Sequence, residues 1–141
     1  MKFSISAVIL CYGVTAVSAQ PTQAQYIAIT EAASKYGVDP KLALAIAETE
    51  SDFKENAVGK LGEKGIFQLL PKFHSDYSID SGVQYLALVK QVCSPYYGDY
   101  WVVCYNRGPY AEFPEDPENN QYYQKVSKRY NKWVAYEKTL H

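Results

Sequence analysis

The chain has 141 residues, with 15 acidic side chains against 14 lysines and arginines and a formal net charge of −1 at neutral pH. A balance so close to zero gives no support to nucleic acid as the main partner. With 48% hydrophobic residues and no internal repeat or low-complexity tract, the length suits one compact domain with one core and is too short for two.

Met1-Lys2-Phe3 precedes an apolar run from Ile5 to Val17, and Val17-Ser18-Ala19 leads to Gln20. One positive charge, an apolar stretch short for a bilayer and small residues at its end predict a secretory signal over residues 1–19 and a mature domain over 20–141. A retained anchor is the alternative. Cys11 has no lipobox-like residues before it and is not read as lipidated. The chain is therefore expected to be exported, to the periplasm or cell envelope.

Tyr26, Ile29, Ala33 and Tyr36 recur on one helical face until Gly37 stops the turn, and Asp39-Pro40 supplies an N-cap and first-turn proline for a second helix. That helix, from Pro40 to about Ser51, is apolar nearly all round, which predicts a central, buried element. Gly59, Gly62 and Gly65 punctuate a polar stretch expected to form a loop or small hairpin-like lobe. A third helix is predicted from Asp80 to Val92, with Val83, Leu86, Leu88 and Val89 apolar. Trp101 to Tyr105 reads as a short buried helix ended by Gly108-Pro109, and the proline-rich acidic stretch from Ala111 to Asn119 as loop. The last helix starts near Asn119 or Asn120, with Tyr122, Val126, Tyr130 and Trp133 in register. The expected fold is mainly α with one small non-helical lobe. Cys93 and Cys104 are an even pair in a chain expected to be exported, so a disulfide is the default reading and two buried thiols the alternative.

Glu50 closes the apolar run of the second helix. A carboxyl group buried there would be costly to ionise and would hold a proton near neutrality, as a general acid must. Glu48 lies about 200° away on a helix of 3.6 residues per turn, so the two cannot face one cleft. Glu50 continues the stripe of Leu42 and Ile46, whereas Glu48 follows Lys41 toward solvent. That both are ordinary last-turn surface residues is the alternative.

Six segments carry a resemblance. Glu50-Ser51-Asp52-Phe53, Asn56-Ala57-Val58 and Gly62-Glu63-Lys64-Gly65-Ile66-Phe67-Gln68-Leu69-Leu70-Pro71 resemble the catalytic motif of lytic transglycosylases with a lysozyme-like (SLT) domain. Gly82-Val83-Gln84-Tyr85-Leu86, Cys104-Tyr105-Asn106-Arg107-Gly108-Pro109, and Pro117-Glu118 with Tyr122 and Val126 are similar to later stretches of that family. The resemblance runs from about Ala33 to Tyr130. It implies a helical lysozyme-like (SLT or goose-type) domain with no cofactor and no metal. The implied substrate is the glycan strand of peptidoglycan. Glu50 would be the single catalytic acid and base, protonating the oxygen between N-acetylmuramic acid and N-acetylglucosamine. It would then assist the muramoyl 6-hydroxyl to close a 1,6-anhydro end. Ser51 would orient local hydrogen bonds, Gln68 would line the cleft, Tyr105 and Asn106 would sit beside the scissile bond, and Tyr122 would be a cleft-wall aromatic. Small relatives of this kind open the wall for a secretion or conjugation machine, a pilus or a phage particle, and such a partner is expected here.

A one-carboxylate scheme agrees with the residues, since most glycosidases flank the bond with two carboxylates roughly 5–9.5 Å apart. The candidates for a second are Asp52, Glu55, Glu63 and Asp76. The first two lie too near Glu50 in sequence, Glu63 stands where the family usually carries a small residue, and none stands out. Phe67 and Leu70 replace family methionines and are expected to keep the sugar-facing surface apolar. Arg107 replaces an alanine and is expected to pair with Glu112 rather than with substrate. Of the many tyrosines, Tyr105 and Tyr122 are the ones expected to meet sugars, and His74 stands apart from any metal-ligand cluster. A hydrolytic lysozyme-type muramidase and a non-catalytic glycan-binding assembly protein are the rival functions.

Overall fold

The computed structural model describes residues 19–141; all of the expected secretory segment but Ala19, and Cys11 with it, lies outside the described residues. Five α-helices follow in chain order: α1 (Gln23–Tyr36), α2 (Pro40–Ser51), α3 (Ile79–Tyr97), α4 (Val102–Arg107) and α5 (Gln121–Lys138), with a 3-10 turn over Gly98–Trp101 before α4. Thr22 and Gln25 form a reciprocal capping box at the start of α1, and Gly37 ends it in the left-handed conformation. Asp39 caps α2 through the N–H of Lys41, with Pro40 in the first turn.

Helix α2 is the central element. Ala43, Ala45, Ile46 and Ala47 are fully buried, and α2 packs between α1 and α5 while α1 also lies on α3. Small side chains along α2 allow close approach from several sides, so its near-uniform apolarity matches its central place. On α5, Val126 and Trp133 are buried. Tyr130, in the same stripe, donates its hydroxyl to Asp39 at 2.8 Å and ties α5 to the start of α2.

Three sequence expectations need correction. Helix α3 continues five residues past Val92, through Pro95 to Tyr97; the proline falls in the last turn, where losing one N–H does not stop a helix anchored by Cys93. Leu88 is 54% exposed and outside the core. More consequential is Glu48, which is buried rather than directed to solvent. Its carboxylate accepts from Lys132 Nζ at 2.6 Å and Trp133 Nε1 at 3.1 Å, with Arg129 Nε at 3.8 Å. Those partners lie more than eighty residues away, and they supply the charge and hydrogen bonds a buried carboxylate requires.

Residues 52–78 form the small lobe. Its order comes from two isolated antiparallel bridges, Val58 with Lys64 and Lys64 with Leu69, and no strand occurs among the described residues. Gly82 on α3 lets the lobe dock, because a Cβ there would stand 2.5 Å from Cγ and Cδ2 of Phe67. Cys93 and Cys104 form a disulfide, Cα atoms 6.7 Å apart, that joins α3 to α4.

Candidate active site

Helix α2 ends under strain. Asp52 and Phe53 have φ of 51° and 61°, and Gln68 has φ of 51°; these are the non-glycine residues with positive φ among those described. Side chains resist this region, so surrounding contacts must hold them there. Phe53 is buried against Trp133, and its carbonyl accepts from Gln25 Nε2 at 3.0 Å. Ser51, also buried, donates to the carbonyl of Ile66 at 2.8 Å. The end of α2 is thereby locked to the lobe, with Glu50 at the junction.

Tyr122 Oη, at the start of α5, donates to Glu50 Oε1 at 2.6 Å. Burial, the largest influence, raises the Glu50 carboxyl from 4.5 to about 7; the Tyr122 hydrogen bond opposes the rise and the negative charge of Glu63 adds to it. Burial and the neighbouring Glu50 push the Tyr122 hydroxyl well above its usual value, so it stays a donor. Tyr105 Oη donates to the carbonyl of Phe67 at 2.6 Å, and its ring lies 5.5 Å from that of Tyr85. Gln68 spends both amide hydrogens within the lobe, on the carbonyls of Ala57 at 3.1 Å and Gly65 at 2.8 Å.

Glu50 stands between two cavities. One, of about 480 Å³, is lined by Glu50, Glu63, Gln68, Leu70, His74, Tyr85, Tyr105, Asn106, Arg107 and Tyr110. The other, of about 530 Å³, is lined by Thr49, Glu50, Asn106, Arg107, Tyr122 and Lys125. A larger concavity of about 760 Å³ along α3 shares Phe73, His74 and Tyr85 with the first but does not reach Glu50. The geometry is an extended groove crossing a carboxyl group able to hold a proton near neutral pH. A group so placed can donate a proton to a leaving oxygen and take one back afterwards.

Residues 27–93, from α1 to the disulfide on α3, match the family model of the transglycosylase SLT domain. The chain carries an SLT domain. It is thus an enzyme of the peptidoglycan lytic transglycosylase type, with peptidoglycan as substrate, and its mainly helical architecture is the lysozyme-like fold of that domain. No solved structure matches the chain. Glu50, Ser51 and Gln68 fall inside the matched segment of the SLT domain, whereas Tyr105, Asn106 and Tyr122 fall beyond it. Helices α4 and α5 nevertheless bring these last three to the cavities that Glu50 shares.

Several sequence expectations change in the folded SLT domain. Tyr105 is buried with its hydroxyl held by Phe67, Tyr122 is half-buried on the wall of the second cavity with its hydroxyl held by Glu50, and Tyr110, 91% exposed, adds a ring on the rim of the first. Arg107 donates to the main-chain carbonyl of Glu112 at 3.1 Å rather than pairing with its carboxylate. Phe67 is buried behind the cleft, leaving Leu70 alone of the two methionine replacements on its wall. Glu63 shares the first cavity with Glu50 and does stand out as a second carboxylate. Tyr85, His74 and Tyr110 were not singled out for the cleft, because their placement depends on α3 and the loop after α4 converging across the lobe.

Proposed function

We propose that residues 20–141 form the catalytic domain of an exported lytic transglycosylase that cleaves the β-1,4 bond between N-acetylmuramic acid and N-acetylglucosamine without water. The observation that carries this reading is Glu50, poised near neutrality at the boundary of two cavities lined by the same Asn106 and Arg107. A polymer laid across it would place one sugar on each side of a single proton donor.

Glu50 first transfers its proton to the glycosidic oxygen as the bond from that oxygen to the muramoyl anomeric carbon breaks. The resulting carboxylate accepts a proton from the muramoyl 6-hydroxyl, whose oxygen bonds the anomeric carbon and closes the 1,6-anhydro ring. One proton leaves Glu50 and one returns, so the enzyme ends as it began. Tyr122 suits both halves: its O–H fixes Glu50 Oε1 and stabilises the carboxylate between the two transfers. Ser51 fixes the helix end that carries Glu50, and Gln68 fixes the lobe wall.

The apolar segment over residues 5–17, the small residues before Gln20 and the Cys93–Cys104 disulfide support a place in the periplasm or cell envelope. There the enzyme would open the wall locally for a secretion, conjugation, pilus or phage assembly. The hydrolytic reading rests on Glu63, a second carboxylate in the first cavity. Mass spectrometry of muropeptides released from purified peptidoglycan separates the two. Anhydro ends from the wild type and none from Glu50→Gln are expected; hydrated reducing ends would establish a muramidase, and no release from either protein would favour a binding module.

A further inference from the structure

Two oxygen acceptors on the wall of the first cavity, from Glu63 and Gln68, come together over Gly59. Both amide hydrogens of Gln68 are bound to Ala57 and Gly65 carbonyls, so its Oε1 is the atom left to face the cavity. No donor among the described residues bonds that oxygen. Glu63 is held by the N–H of Leu61, which reaches its Oε2 at 2.9 Å. Both oxygens converge over Gly59: a Cβ there would stand 2.8 Å from Gln68 Oε1 and overlap Glu63 Oε2. Gly59 thus leaves the space in which a carboxylate and an amide carbonyl oxygen meet. The Leu61 N–H takes one acceptor position of Glu63 Oε2 and leaves the remaining lone pairs of that carboxylate, with those of Gln68 Oε1, open to a bound donor.

We propose that Glu63 is a specificity-determining residue of this enzyme, forming with Gln68 a pair of oxygen acceptors that takes an amide N–H or hydroxyl donor of the sugar bound beside Glu50. Acetamido sugars carry such donors. A carboxylate acceptor makes the bond charge-assisted, about twice as strong as a neutral one. The pair lies near the reacting group, since the charge of Glu63 acts on the Glu50 carboxyl. Sequence alone pointed to this position only by the presence of an acid where the family carries a small residue.

This inference rests on the reading of the cleft as a glycan site, and its test keeps the two apart. Glu50→Gln, expected to bind without cleaving, is titrated calorimetrically with soluble glycan strands freed of their peptide stems. Adding Glu63→Ala should weaken binding about tenfold or more, the loss of one charge-assisted hydrogen bond. Adding Gly59→Ala, which keeps the charge but fills the space where the pair meets, should weaken it similarly. Glu115→Gln, at an exposed position outside both cavities, should leave it unchanged. Circular dichroism establishes that each variant is folded. Binding unchanged by both Glu63→Ala and Gly59→Ala would overturn the inference while the glycan reading stands. Failure of Glu50→Gln itself to bind the strands would sink the glycan reading, and the inference with it.

Discussion

Replacing Glu50 by Gln should stabilise the protein at alkaline pH relative to the wild type, although the residue is the proton donor of the proposed reaction. The folded carboxyl titrates at about 7 and the unfolded one at 4.5. Between those values the folded state binds more protons than the unfolded state, so wild-type stability falls as pH rises through that window. At about 1.4 kcal/mol per unit, the shift corresponds to about 3 kcal/mol, lost in full above the folded value. Glutamine keeps the shape, can accept the Tyr122 hydrogen bond and does not titrate, so the other ionisable groups cancel when the two proteins are compared. Urea denaturation of both at about pH 4 and about pH 8.5 measures the change in their difference. Glu50→Gln should gain about 3 kcal/mol on the wild type between the two conditions. A difference that stays constant, or moves against the variant, would refute the claim that the folded site resists ionising Glu50.

Tyr122→Phe removes the hydrogen bond that stabilises ionised Glu50, so the Glu50 titration, followed by carboxyl-carbon NMR, should move up by about one unit. A downward move would reverse the role given to Tyr122. Gly82→Ala forces a methyl group against the buried Phe67 ring and should destabilise by about 1–3 kcal/mol in thermal or urea unfolding; a neutral result would mean the lobe docks with slack. Glu48→Gln, which leaves Lys132 and Arg129 facing a neutral group beside the core, should cost about 2 kcal/mol. Stability equal to the wild type would show that the cluster contributes little beyond Trp133's hydrogen bond.

Helix α2 was legible because every local signal agreed: Asp39-Pro40 opens it, alanines and leucines fill it, and Glu50-Ser51 closes it. Helix α1, the start of α5 and the glycine-broken lobe were legible for similar reasons. Pro95 misled because position decides what a proline does, and it falls in a last turn tethered by Cys93. Glu48 and Glu50 could be separated by helical period, but which was buried and how could not: their partners, Lys132, Trp133 and Tyr122, lie on α5. Tyr122 was placed at the cleft from its motif, while its bond to Glu50 needed the crossing of α2 and α5. Glu63 was visible in the sequence as an acid where the family carries a small residue, but its place beside Glu50 and Gln68 needed the folded lobe around Gly59.

In the proposed reaction the substrate's own 6-hydroxyl, and not water, attacks the anomeric carbon. Digesting purified peptidoglycan in ¹⁸O-enriched water and weighing the newly formed muramoyl ends tests it directly. The proposed reaction gives ends that carry no ¹⁸O and are anhydro in mass. Ends that have gained one ¹⁸O would show that water is the nucleophile and contradict it.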